Sequence, residues 1–337
     1  MAGAVSTGGL LGEFELIRRF FSDGSPRGLG DGVTLGIGDD AALIEPPPDC
    51  ELAVTVDTIV AGRHFPLDSD PRSIGHRAMA VNLSDLAAMG ATPAWATLAL
   101  TLPAADAAWL EPFARGLLDL ARAHGVALVG GDTTGGPLTV SVQLMGHVPR
   151  GAAMRRGGAR AGDWLAVTGT LGDAGAGLAL RRPPSAHAVQ DHSAQALVAQ
   201  LIDRFEFPAP RVHFGRLARS IAHAAMDLSD GLVGDLPKIA AASGLAAHVE
   251  VERLPLSAAL RAVASPGQAL DWALGAGDDY ELLLAVAPAR FAELAAAAGA
   301  CDLGLTAIGK LQAGSGVTWS RNGEPFLPSV QGWDHFR

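Results

Sequence analysis

Gly36-Ile37-Gly38-Asp39-Asp40 constrains this chain more than any other stretch, because it sets two adjacent acids in a tight glycine turn. On paper Gly36-x-Gly38-x-x-Ala41 fits the dinucleotide fingerprint, in which a pyrophosphate sits against the turn. Here that pyrophosphate would meet Asp39 and Asp40. Each like-charge contact at about 4 Å costs about 4 kcal/mol at an effective dielectric near ~20, which disfavours a bare dinucleotide site. A divalent cation between the acids and any phosphate would remove the conflict. Solvated carboxylates in an ordinary turn satisfy the same residues, and the stretch alone leaves both readings open.

The charge balance narrows the partners. A net charge of -10 argues against nucleic acid, and the only lysines are Lys238 and Lys310. A phosphorylated ligand would therefore have to be met through metal ions or local arginines. With 337 residues and 49% hydrophobic content, the chain can bury a large core and is expected to divide into two domains, 1–150 and 151–337. Cys50 and Cys301 are too few for a disulfide framework, and no basic segment followed by an apolar one opens the chain, so a reduced cytoplasmic compartment is expected. Phe291 to Gly309, the most apolar stretch, is interrupted by Glu293 and Asp302 and does not read as a membrane span.

Taken in order, Glu13 to Phe21 carries apolar residues at helical spacing. Leu52 to Asp57 alternates as a strand, with Leu52, Val54 and Val56 on one face and Thr55 and a terminal Asp57 on the other. His64 follows in a loop. A helix is predicted from Pro71 to Gly90, capped by Ser69 or Asp70, with Asn82 and Asp85 on one face. A second helix runs from near Pro103 to His124, and Val126 to Val129 leads into a glycine turn at Gly130-Gly131-Asp132. Leu138 to Val148 closes the first half as a strand.

The second half opens with the strand Trp164 to Thr168 and a glycine-rich turn, Gly169 to Gly175, where a helix N-terminus has room for an anion or simply makes a tight connection. Pro183 to Ser193 reads as an exposed loop, and Arg211 to Ile221 as a helix. Ala224 to Asp227 is a short strand, followed by Leu228-Ser229-Asp230-Gly231 and a helix closed by Gly244. An EF-hand is ruled out, since the twelfth residue from Asp227 is Lys238 rather than glutamate. Gly304 to Lys310 imitates a P-loop, but Leu311 stands where a serine or threonine should bind magnesium. The aromatic C-terminus, Gly332 to Phe336, is expected to pack onto the body.

Acids thus recur at strand ends and in glycine turns: Asp39, Asp57, Asp132, Asp227 with Asp230, and Asp278 with Asp279, with Asp85 on a helix. If they converge, neighbouring carboxylates need cations, and oxygen-only donors favour magnesium over zinc.

Several motifs, in order, carry a resemblance: Gly12-Glu-Phe-Glu-Leu16, Gly36 to Ala41, Thr55 to Phe65, Asn82 to Ala91, Gly130 to Thr134, Asp227 to Gly231 and Asp279-Tyr-Glu-Leu282. Through them nearly the whole chain resembles the thiamine-monophosphate kinase family, in the ATP-binding superfamily of aminoimidazole ribonucleotide synthetase and selenophosphate synthetase. The resemblance implies a two-domain α/β (α+β) fold: a β-rich N-terminal α/β domain that pairs with its copy in a homodimer, and a C-terminal α/β domain. It implies ATP and thiamine monophosphate as substrates, several magnesium ions, and no nucleic-acid or membrane partner.

Residue by residue, Asp39, Thr55, Val56, Asp57, Asp85, Asp132, Asp227 and Asp230 match the family's magnesium positions, with turnover resting on Asp57, Asp132 and Asp230. Gly131, Asp132, Arg156 and Ser229 match its nucleotide contacts, and His64, Asp278 and Trp333 its thiamine monophosphate contacts. The family usually has Gly-Glu-Asp-Tyr-Glu, where this chain has Gly277-Asp-Asp-Tyr-Glu281, one methylene shorter. A synthetase of the same superfamily, or a cation-binding protein without catalysis, would share many of these acids.

Overall fold

The computed structural model describes residues 12–22, 31–181, 192–334 and 336. Most of the expected loop Pro183 to Ser193 lies outside them. The chain forms two compact units, one from Met1–Pro48, Val54–Asn82 and Pro93–Met145, the other from Asp49–Ala53, Leu83–Thr92 and Gly146–Arg337. Both mix helices and sheet, as the α/β expectation requires.

In the first unit the opening helix Glu13–Leu16 continues as a π-helix over Ile17–Ser22, burying Leu16, Phe20 and Phe21. Asp39 and Asp40 lie exposed between the antiparallel strands Val33–Leu35 and Leu43–Ile44. No helix follows this turn, so the fingerprint spacing carries no dinucleotide site. A four-stranded sheet has the order Cys50–Val60, Thr139–Pro149, Thr92–Leu102, Ala127–Gly135. The helix Ala107–Ala123 starts later than Pro103 because Asp106 caps it, its Oδ1 accepting from the Ala108 N–H at 2.9 Å.

Two local expectations change here. Asp57 does not end its strand, which runs three residues further to Val60. Gly130-Gly131-Asp132 is not a turn but lies inside the strand Ala127–Gly135, because parallel pairing with Thr92–Leu102 continues through the glycines. On the strand Cys50–Val60 the apolar face is the open one: Leu52, Val54 and Val56 are 44%, 53% and 62% exposed, while Thr55 and Asp57 are half-buried.

The second unit is built on a seven-stranded sheet, in the order Glu324–Phe326, Val317–Arg321, Leu245–Glu250, Leu305–Ala313, Trp164–Thr168, Glu281–Val286, Ala224–Leu228. Neighbours are antiparallel except Val317–Arg321 with Leu245–Glu250. Leu165, Val167, Met226, Leu228, Leu283, Ala285, Ile308 and Leu311 form the sheet side of its core, against Leu232, Leu236 and Ile239 of the helix Leu232–Ala242. The strand Leu305–Ala313 takes in all of the P-loop look-alike after Gly304, which removes that reading. No helix among the described residues is long and apolar enough to cross a membrane.

Candidate active site

The second unit gathers three distant stretches around the loop that follows the strand Ala224–Leu228. The Asp278 N–H donates to Ser229 O, the Tyr280 N–H to Leu228 O and the Trp333 N–H to Asp230 O, each at 2.9 Å. Asp278 and Tyr280 both hold left-handed backbone, with φ of 62° and 49°, a conformation that side chains rarely adopt. Tyr280 Oη donates to Asp278 Oδ1 at 3.1 Å and orients that carboxylate. At Gly332 a Cβ would lie 2.5 Å from Gly234 Cα, so only glycine lets the C-terminal strap lie this close to the helix Leu232–Ala242. Ser229, Asp230, Asp278 and Trp333 are thereby neighbours, and Trp333 as a residue is 45% exposed.

Beside them Asp227 is buried, and its Oδ2 accepts from Ser84 Oγ at 2.9 Å. Ser84 is the residue the sequence reading missed. It precedes Asp85, which is half-buried on the helix Pro71–Ala88. A second omission is Asp235, buried in the first turn of its helix. Its Oδ2 accepts from the Ser229 N–H at 3.0 Å and the Asp230 N–H at 2.9 Å, and Lys238 Nζ lies 2.8 Å from its Oδ1. Burial raises the Asp235 pKa, against the pull of Lys238. Burial would lower that of Lys238, but hydrogen bonds to Asp230 and Asp235 outweigh it and hold the ammonium charged. Arg156 is exposed, and its carbonyl accepts from Ser243 Oγ at 3.1 Å.

In the first unit the Asp57 N–H donates to Asn82 Oδ1 at 3.1 Å, while Asn82 Nδ2 donates to Ala78 O at 3.0 Å. Asn82 is fully buried, so it is no solvent-facing stripe but the anchor of the Asp57 backbone. His64 Nδ1 accepts from the Val60 N–H at 3.0 Å, which leaves Nε2 to carry the ring proton. Gly131 has a packing reason to be glycine: a Cβ there would lie 1.9 Å from Leu98 O on the parallel neighbour. Asp132 follows it, exposed. Asp57 and Asp132 sit on the two outer strands of the sheet, with two strands between them. Asp39 is exposed, and its Oδ1 accepts from the Asp40 N–H at 2.8 Å.

Among the described residues no three His, Cys, Asp or Glu stand together as a group able to hold a metal ion. The donor chemistry nonetheless suits a hard cation, since the side chains are oxygen-only, and at Asp230 an ammonium stands in for one, Lys238 Nζ lying 2.6 Å from Oδ2.

Asp279 does not join this set. Its Oδ2 accepts from the Gly172 N–H at 2.8 Å and its Oδ1 from the Ala174 N–H at 3.5 Å, so the N–H groups at the start of the helix Asp173–Leu180 are capped from within the protein. Burial pushes its pKa up to about 8, against the Gly172 N–H and the Arg204 charge. The folded state then holds a proton that the unfolded state has released, and stability falls as pH rises towards that value. Asp279→Asn, fixed in the neutral form, should gain on the native chain between about pH 4 and the folded pKa, by at most about 1.4 kcal/mol per pH unit, and level off above it. Thermal unfolding of both proteins across this range checks the sign; a gap that closes with rising pH contradicts it.

The residues 38–148 match the family "AIR synthase related protein, N-terminal domain", and residues 160–320 its C-terminal domain. The chain is 46% identical over 326 residues to the thiamine-monophosphate kinase of Escherichia coli (strain K12), covering 96% of this chain and 98% of that one. The crystal structure of thiamine-monophosphate kinase from Stenotrophomonas maltophilia K279a is 48% identical, with a TM-score of 0.81 over 88% of this chain and 93% of that one. A further solved structure, AaThiL complexed with AMPPCP and TMP, is 31% identical, with a TM-score of 0.74 over 96% and 97%.

Proposed function

Since the chain belongs to the thiamine-monophosphate kinase family, we propose that it transfers the γ-phosphoryl group of ATP to thiamine monophosphate, giving thiamine diphosphate and ADP. The observation that carries this reading is the loop Asp227 to Gly231 flanked by Asp278 and Trp333, in a chain similar over nearly its full length to these kinases and to a complex with AMPPCP and TMP. Incubating purified protein with MgATP and a panel of phosphate esters tests it. Thiamine monophosphate should be the acceptor by a wide margin, and preference for another ester, or for none, would sink it.

The acceptor is a phosphate monoester whose second pKa is about 6, so it reaches the reaction as its own anionic nucleophile and needs no general base. The protein's task is to position two anions in line. Magnesium, when bound, would supply charge neutralisation of the phosphates and a template for transfer. Asp39, Thr55, Val56, Asp57, Asp85, Asp132, Asp227 and Asp230 are the positions proposed to hold magnesium ions. Ser229, Arg156 and the Gly131 backbone are assigned to the nucleotide, and His64, Asp278 and Trp333 to thiamine monophosphate. The strained backbone at Asp278 supports its assignment, because such geometry is retained where a side chain has to be aimed.

A part-exposed tryptophan whose backbone N–H is tied to Asp230 O suits stacking on the cationic thiazolium or the pyrimidine, worth about 0.5 to 2 kcal/mol. Trp333→Ala should then raise KM for thiamine monophosphate by roughly threefold to thirtyfold, with KM for ATP and the melting temperature nearly unmoved. Early melting with an unmoved KM would make Trp333 a structural plug.

The same reading includes a homodimer, a domain boundary near residue 150 and a cytoplasmic location. The open apolar face of Leu52, Val54 and Val56 supports the first, since a second copy would cover it. The separate family matches over 38–148 and 160–320 support the second. Two free cysteines, Cys50 and Cys301, accord with the third.

A further inference from the structure

One of the chain's two lysines lies on a carboxylate assigned above to magnesium. Lys238 Nζ is 2.6 Å from Asp230 Oδ2 and 2.8 Å from Asp235 Oδ1, although the lysine side chain is 40% exposed and has water available to it. Holding a long side chain in one geometry costs rotamer entropy, and an exposed pair rarely offsets that. Here Asp235 changes the balance. Its side chain is 1% exposed, so its charge has to be answered from within the protein, and Lys238, three residues on, is in reach. The other Asp235 oxygen holds both the Ser229 and Asp230 N–H groups. One carboxylate therefore fixes the loop backbone and aims an ammonium at the Asp230 side chain.

We propose that Lys238 is a positioning residue that holds the Asp230 carboxylate in the cation-free protein and gives way when a divalent cation arrives with the nucleotide, Asp235 setting where the ammonium points. The inference rests on the reading of Asp230 as a magnesium ligand. Its consequence is a competition: an ammonium and a divalent cation cannot both lie against the same oxygens without strong repulsion. Lys238 thus keeps the Asp230 carboxylate paired at rest, and raises the magnesium concentration that nucleotide binding requires.

Calorimetric titration of the full chain with AMPPCP over a series of magnesium concentrations reads this directly. Lys238→Met should lower the magnesium concentration for half-maximal nucleotide binding by about threefold to tenfold, the range of one partly exposed ion pair. Its melting temperature without nucleotide should fall by about 2 to 4 °C. Lys238→Arg should restore both values towards those of the native chain. Asp235→Asn, which keeps an acceptor for the two N–H groups but turns an amide towards the ammonium, should shift the magnesium requirement in the same direction. Asp230→Asn should weaken the magnesium dependence, and adding Lys238→Met to it should change nothing more. If Asp230→Asn weakens the dependence while Lys238→Met leaves the requirement where it was, the competition is wrong and Asp230 remains a ligand. If Asp230→Asn leaves the dependence intact, the ligand assignment fails and the proposal with it.

Discussion

Asp132→Asn is expected to lower kcat/KM for thiamine monophosphate by at least about a hundredfold while leaving the fold intact, and Asp57→Asn to do the same. The stability half of this expectation comes from where the two residues sit. Asp132 is exposed on an outer strand, and what holds that segment in register is the Gly131 backbone against Leu98 rather than the Asp132 carboxylate. Asp57 is half-buried, but it is the backbone N–H, not the side chain, that Asn82 binds, and asparagine keeps that N–H. Replacement at an exposed position such as Asp132 ordinarily changes stability by about 0.5 kcal/mol or less. The catalytic half comes from charge: each substitution removes one negative oxygen donor from the proposed magnesium set, with side-chain size nearly unchanged. Steady-state kinetics beside thermal unfolding separates the two halves, and partial rescue by excess magnesium would agree with a ligand role. Native-like turnover by either variant would falsify its assignment as an essential ligand.

Glu281→Ala should cost about 3 to 5 kcal/mol of folding stability. Glu281 is fully buried at the start of the strand Glu281–Val286. Its carboxylate is bound by Arg204 Nη2 at 2.9 Å, by Arg211 through both Nε, at 2.7 Å, and Nη2, and by Thr168 Oγ1 at 2.6 Å. Without it two largely buried guanidinium groups face each other with no anion between them, which is costlier than an absent ion pair would be. Glu281→Gln should fall between, since it keeps acceptors but not charge. Urea midpoints give the order: native, then glutamine, then alanine. A native-like midpoint for alanine would mean that the two arginines find water or other anions. The damage should reach the site as well, because Glu281 directly follows Tyr280, lies three residues after Asp278 and anchors the strand from which that strained loop departs.

The sequence by itself determined whatever depends on near neighbours along the chain. Alternation over Leu52 to Asp57 marked the strand Cys50–Val60, and Asp70 with Pro71 marked the start of the helix Pro71–Ala88, because strand period and helix capping act over a few residues. The ordered motifs from Gly12 to Leu282 pointed to the family, and Asp227 to Gly231 to a focal loop, since local spacing is what they preserve.

Only the tertiary structure decided which acids are exposed and which are held from far away. Asp279 looks like Asp39 in sequence, each beside a second aspartate after a glycine. Yet its buried carboxylate caps a helix more than a hundred residues earlier in the chain. Glu281 depends on arginines at 204 and 211, Asp227 on Ser84, and Asp230 on a lysine that reads from sequence as a failed calcium ligand. The face of Cys50–Val60 left open is likewise the apolar one, which alternation cannot reveal, because period two gives two faces without saying which the rest of the fold covers. Burial and long-range pairing set the charge a carboxylate carries and what it can bind, and both arise from contacts between residues that a single sequence leaves far apart.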